Sequence, residues 1–189
     1  MIDRLALTTT AAVAGDALDP EALRVLVDGL AAAPDLWTPR VRHDSDERLF
    51  ERLWRDERLE VWLICWSGED HDTGFHDHDV SNGAFSVVRG SLVEERLVLT
   101  GSIRRRLRRG ESIGFPASHV HRVHGVGESA AVSIHAYSPP LERLGVYSMT
   151  DDGALRRETV PASHELGAAN HVSRAARPYA DDIRPRRCT

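Results

Sequence analysis

Residues 83–115 read GAFSVVRGSLVEERLVLTGSIRRRLRRGESIGF, and their pattern decides the fold class. Short apolar or alternating runs, at 83–88, 92–99, 102–107 and 112–115, are separated by Gly90, Gly101 and Gly110. Regular short strands with glycine turns indicate an all-β sandwich or barrel. The same texture extends outward. Upstream, Leu59-Glu60-Val61-Trp62-Leu63-Ile64-Cys65-Trp66 is a buried-strand pattern, closed by the turn-rich Ser67-Gly68-Glu69-Asp70. Downstream, 130–137 and 145–149 read as strands, with a hairpin through Asp151-Asp152-Gly153.

Helical signals lie at the ends of the chain. Asp19 can cap a helix, Pro20 suits its first position, and Glu21 favours the positive end of its dipole. Leu23, Leu26, Val27 and Leu30 recur at helical spacing, which predicts a helix over 20–33. A second short helix is expected over 45–54, with Leu49, Phe50 and Leu53 on one side, and a third over 165–176. The expected organisation is an N-terminal helical cap (1–58), a β-barrel (59–160) and a C-terminal tail (161–189), all in one domain, since 189 residues suit a single core.

A formal net charge of −5 argues against nucleic acid as a partner. The Arg104-Arg105-Arg106 run with Arg108 and Arg109 reads as a solvated strand and turn. No apolar stretch is long enough to span a bilayer, so no membrane partner is expected. The N-terminus does not look like a signal peptide, and the two cysteines, Cys65 and Cys188, make no disulfide framework; a cytoplasmic protein is expected. Oligomeric state is not legible, and a monomer is favoured.

The strongest chemical signal is Phe75-His76-Asp77-His78. On a strand, His76 and His78 share a face while Asp77 and Asp79 point away, so two imidazoles can hold one ion from the same side. A third ligand must come from another strand. His119 and His121 share a face in 116–124, and spacing alone does not choose between them. Ser133, His135 and Tyr137 alternate along a further strand, but Val132, Ile134 and Ala136 could equally face the interior.

The HxH run, the later glycine and the Gly110…Phe115-Pro116…His121 spacing resemble the two motifs of the cupin superfamily, a small double-stranded β-barrel. In the second motif the ligand stands five residues after the proline, which selects His121. The glutamate that normally follows HxH is replaced by Gly83, implying a three-histidine site. Cys65-Trp66, His76-Asp77-His78, Gly90-Ser91-Leu92, His121-Arg122-Val123 and the run from Ser133 to Pro140 resemble the cysteine dioxygenases, bacterial type.

That resemblance implies Fe(II) on His76, His78 and His121, and oxidation of the small-molecule thiol L-cysteine by O2 to cysteine sulfinic acid. It implies a Ser133-His135-Tyr137 relay beside the metal, and an arginine for the substrate carboxylate, matched best by Arg55 with Arg58 as its rival. It also implies an unmodified Tyr137, because the cysteine that animal enzymes link to that tyrosine is Gly83 here. Three alternatives stand beside it: a dioxygenase for another thiol such as 3-mercaptopropionate, a zinc site generating hydroxide, and a non-catalytic metal-binding cupin.

Overall fold

The structure is a computed structural model and describes residues 17–68 and 70–163. Helix α1 (Pro20–Ala31) starts as the sequence predicts: Asp19 Oδ1 accepts from Ala22 N at 2.8 Å, and Pro20 opens the first turn. Leu23, Leu26, Val27 and Leu30 are buried along one stripe, each burial contributing on the order of 1.5–3 kcal/mol. Two single 3₁₀ turns (Pro34–Leu36 and Thr38–Arg40) follow.

The strands are β1 (Leu49–Arg55), β2 (Glu60–Trp66), β3 (His76–Asp77), β4 (Asn82–Arg89), β5 (Ser91–Val98), β6 (Gly101–Arg108), β7 (Ser112–Phe115), β8 (His121–His124), β9 (Ala131–Ser138), β10 (Arg143–Met149) and β11 (Leu155–Pro161). They form two antiparallel sheets, ordered β1-β2-β9-β4-β7 and β11-β10-β3-β8-β5-β6. The fold is an all-β double-stranded barrel with an N-terminal helix.

The second expected helix, over 45–54, is instead strand β1. Leu49 and Leu53 are four residues apart, a spacing that suits a helix face and also one face of a strand, so periodicity did not discriminate. The hairpin decides it. Asp56 Oδ1 accepts from the backbone N–H of Arg58 at 2.8 Å and of Leu59 at 2.9 Å, turning the chain so that β1 pairs with β2 from Leu49↔Cys65 to Arg55↔Glu60. The sheet therefore begins ten residues before residue 59, at Leu49. The expected hairpin around Asp151-Asp152-Gly153 joins β10 to β11, with Gly153 at φ 82°. The expected helix over 165–176 lies outside the described residues.

The first sheet is buried on both faces. Val61, Leu63 and Cys65 of β2 and Val132, Ile134 and Ala136 of β9 pack with α1, while Ile64, Trp66, Phe85, Phe115 and Tyr137 belong to the barrel interior. The helix sits tightly on this sheet: a Cβ at Gly114 would stand 2.1 Å from the Pro20 carbonyl oxygen. With α1 covering the Val132-Ile134-Ala136 face, Ser133 and His135 are left facing the interior with Tyr137, and all of β9 is buried. No helix among the described residues is long and apolar enough to cross a membrane.

Candidate metal centre

Strand β3 pairs antiparallel with β10 on one side and β8 on the other, and His76 stands directly opposite His121 in register. His78 follows at the end of β3, and its ring centroid lies 5.0 Å from that of His76 and 5.1 Å from that of His121. One ring nitrogen from each of the three histidines lies within 4.8 Å of the others, and all three residues are buried. His119 does not join them; its Nε2 turns to Glu94 at 2.8 Å.

Hydrogen bonds aim two of the rings. His76 Nδ1 lies 3.1 Å from the Gly74 carbonyl and His121 Nδ1 lies 3.1 Å from Glu94 Oε1, which leaves each Nε2 for the centre. Both ring nitrogens of His78, 1% exposed, have no hydrogen-bond partner. A buried imidazole left in that condition costs on the order of 1–3 kcal/mol, and a metal ion against Nε2 relieves it. The donor set therefore fits a divalent metal.

Burial, reinforced by the neighbouring imidazoles, pushes His78 well below its ordinary value, and burial takes His121 down to about 3 against the opposing pull of Glu94. Burial likewise holds His135 at about 3. All three are neutral at pH 7, and for His78 and His121 that is the state a metal ligand requires. In the unfolded chain these groups titrate near 6.5, so below that pH the unfolded state takes up protons that the folded state refuses. Stability then falls as pH drops from about 6.5 towards 3, by about 1.4 kcal/mol per pH unit per histidine. The urea midpoint of metal-free protein is expected to fall steadily between pH 7 and 5; a flat profile would contradict the assignment.

The outer face of β3 explains the residue between the histidines. Asp77 accepts from Arg157 Nε at 2.6 Å and Nη2 at 2.8 Å, from Tyr147 OH at 2.7 Å and from Asp79 N at 2.8 Å. Burial works against its charge, but these bonds outweigh it and bring the carboxyl down to about 2. A two-residue strand that carries one ligand and leads straight into a second is fastened from behind to β10 and β11.

No carboxylate can enter the ligand set at position 83. Gly83 stands opposite Tyr137 and Phe115, and a Cβ there would lie 2.3 Å from Phe115 Cε2. The Phe115 ring fills that space and packs against His78 and His121, with centroids 4.9 and 4.8 Å apart. Since glycine offers no sulfur, Tyr137 is expected to be unmodified, and a tryptic peptide mass two hydrogens below the calculated value at Tyr137 would refute this.

Beside the three histidines lies a small cavity of about 30 Å³, lined by Arg48, Phe50, Ile64, Trp66, Thr73, His76, His121, Val123, His135, Tyr137, Leu141 and Leu144. Trp66 Nε1 donates to Ser133 Oγ at 2.9 Å, Ser133 Oγ is 2.8 Å from His135 Nε2, and His135 Nδ1 is 3.3 Å from Tyr137 OH. With the Trp66 indole donating to Ser133, the Ser133 hydroxyl donates to His135 Nε2 and His135 donates from Nδ1 to the tyrosine oxygen. In the reverse direction the Ser133 hydroxyl hydrogen would lack an acceptor. Phe85 stacks on His135 at 4.9 Å and 11°, fixing the ring plane.

The structure moves the expected arginine. Arg55 does not reach the cavity: its guanidinium is held by buried Glu60 and, at 2.8 Å, by Glu142. Arg58 does not line it either; its carbonyl accepts from Ser138 Oγ at 2.7 Å. Arg48 does line it, with its guanidinium carbon 5.4 Å from the centroid of Phe50 and 5.3 Å from that of Trp66. The resemblance selected Arg55 by its place upstream of the Cys65-Trp66 strand, whereas the residue that lines the cavity there is Arg48. As an antiparallel partner of β2, the start of β1 lies beside Cys65 and Trp66, and Arg55 lies about 23 Å further along. A count back from the Cys65-Trp66 strand through an extended hairpin could have found Arg48. Glu94 was also missed, although it shares a strand face with fully buried Leu92, where a carboxylate needs partners.

Three buried imidazoles converging inside a double-stranded β-barrel define a metal-capable cupin. The sequence matches the family model of cysteine dioxygenase type I over residues 4–150, and the chain belongs to that family. It is 26% identical over 142 residues to cysteine dioxygenase type 1 of Homo sapiens, covering 68% of this chain and 70% of that protein. It is 26% identical over 145 residues to cysteine dioxygenase type 1 of Danio rerio, covering 67% of this chain and 69% of that protein. Among solved structures it is similar to a cupin superfamily protein from Desulfitobacterium hafniense, at 13% identity and a TM-score of 0.47, covering 56% of this chain and 89% of that one.

Proposed function

We propose that this protein is a thiol dioxygenase that converts L-cysteine and O2 to cysteine sulfinic acid at Fe(II) held by His76, His78 and His121. The observation that carries the reading is the buried set of three imidazoles, two of which, His76 and His121, line a cavity that also holds one guanidinium and one hydrogen-bonded tyrosine. The reaction balances without a further reductant: the thiol sulfur loses four electrons, dioxygen gains four, and both oxygen atoms end on sulfur. Iron bound there supplies the Lewis acidity that lets a thiol lose its proton and the redox capacity to activate dioxygen. Three neutral ligands leave the dication unneutralised, which suits an anionic sulfur donor.

The chain's own residues do the rest. Arg48 offers a fixed fork for a carboxylate, which a substrate of cysteine's size can present while its sulfur lies near the histidines. Tyr137, oriented through His135 and Ser133, presents its side chain to the cavity that would receive the substrate. Phe50, Ile64, Val123, Leu141 and Leu144 keep water out of the remaining volume.

A second reading rests on a specific observation: among the described residues lining the cavity there is no Asp or Glu to receive an ammonium. An amine-free thiol acid such as 3-mercaptopropionate would lose nothing there. The deciding experiment reconstitutes metal-free protein with Fe(II) or Zn(II) and follows oxygen uptake and sulfinic acid with both thiols. Turnover with Fe(II) alone, and a larger kcat/KM for cysteine, is expected. A larger value for the amine-free thiol changes the substrate, turnover with zinc changes the metal, and no oxygen uptake leaves a binding barrel.

A further inference from the structure

The three metal-facing imidazoles are backed differently. His78 has no hydrogen-bond partner at either ring nitrogen, His76 Nδ1 meets the neutral Gly74 carbonyl, and His121 Nδ1 meets the Glu94 carboxylate at 3.1 Å. Glu94 is 5% exposed, inside the barrel on β5. The same oxygen, Oε1, accepts from His119 Nε2 at 2.8 Å, and Oε2 lies 3.6 Å from the half-exposed Arg105 guanidinium. His119 in turn is held in place, its backbone N–H bonded to Pro116 O at 2.9 Å and its ring stacked on Phe115 at 5.3 Å and 21°.

We propose that Glu94 is a positioning residue for the metal centre: its carboxylate, also held by His119, keeps His121 with the proton on Nδ1 and strengthens that imidazole as a donor. The argument is chemical. A carboxylate accepts only, so both facing nitrogens must carry their hydrogens, and the His121 lone pair is left on Nε2 facing His76 and His78. An anion pulling on Nδ1–H shifts electron density to Nε2, as carboxylate–histidine pairs do behind bound metals. The dication, otherwise met by neutral ligands, gains a negative charge one ring away. The inference rests on the three-histidine centre proposed above and not on its thiol chemistry.

Glu94→Gln keeps the shape and removes the charge. In an anaerobic Co(II) titration of the full chain, without thiol, it is expected to weaken binding by about 10- to 100-fold and to shift the visible Co(II) bands. The Fe(III)/Fe(II) midpoint potential is expected to rise, because the lost anion favoured the higher charge. His119→Gln, which loosens the hold on Glu94 and leaves the carboxylate, should move both readouts in the same direction by a smaller amount. Wild-type affinity and wild-type bands in Glu94→Gln would overturn the proposal; should that variant fail to fold, an unchanged potential in His119→Gln would do so. Neither readout uses a thiol, so the dioxygenase reading is scored separately by oxygen uptake.

Discussion

His121→Ala is expected to leave the protein unable to retain iron through desalting and to lower thiol-dependent oxygen uptake by at least about 10³-fold, the scale seen when one member of a unit that acts together is removed. His121 is 2% exposed and faces His76 across the β3–β8 pair, while the neighbouring His119 imidazole is engaged with Glu94. His119→Ala is expected to retain iron and turnover, with a change in metal affinity of no more than a few-fold. Its Nε2 is engaged with Glu94, and the hydrogen bond it loses is one of two to that carboxylate oxygen. The comparison separates ligation from mere proximity, because the two residues share one sequence motif and their ring centroids are only 4.9 Å apart. Structural damage is checked by melting the metal-free proteins, which should differ by far less than the iron-loaded ones. Iron retained in His121→Ala and lost in His119→Ala would mean that the barrel uses the other histidine.

What the sequence made legible follows from which signals are local. The capped helix at Asp19-Pro20, the glycine-turned strands between Gly83 and Phe115 and the paired histidines are short-range patterns with one physical reading each, and the structure keeps them. The face of β9 was not legible, because Ser133, His135 and Tyr137 alternate with Val132, Ile134 and Ala136, and both sets are buried once α1 covers the sheet. Periodicity detects the difference between wet and dry faces, and here there is no wet face. The segment before β2 misled for a related reason: Leu49 and Leu53 satisfy two periods, and the turn at Asp56 that settles the matter depends on side-chain bonds to Arg58 and Leu59. Glu94 was silent because its meaning lies in two histidines 25 and 27 residues away.

The proposed place of Arg48 at the cavity leads to the second large effect. Arg48→Ala is expected to lower kcat/KM for cysteine by about 10- to 100-fold, mainly through KM, since a charge-assisted hydrogen bond contributes on the order of 1.5–3 kcal/mol. Arg48→Lys should recover only part of this, because an ammonium lacks the planar fork. The carboxylate can be removed from the other side as well: cysteamine has the thiol and amine of cysteine and no carboxyl group. In the wild type, cysteine should outperform cysteamine by a wide margin, and in Arg48→Ala that margin should collapse, isolating the pairwise contribution. Arg55→Ala is expected to act differently. It deprives Glu60, 1% exposed, of its guanidinium partner, leaving the Trp62 indole as donor at 2.5 Å. That should cost about 1–3 kcal/mol of stability and lower the melting temperature while KM for cysteine stays near its original value. A rise in KM in Arg55→Ala, with Arg48→Ala unchanged, would return the carboxylate to the far end of β1. Arg48 immediately precedes β1 and Arg55 ends it, and the direction of that strand is what proposes one for the substrate and the other for the scaffold.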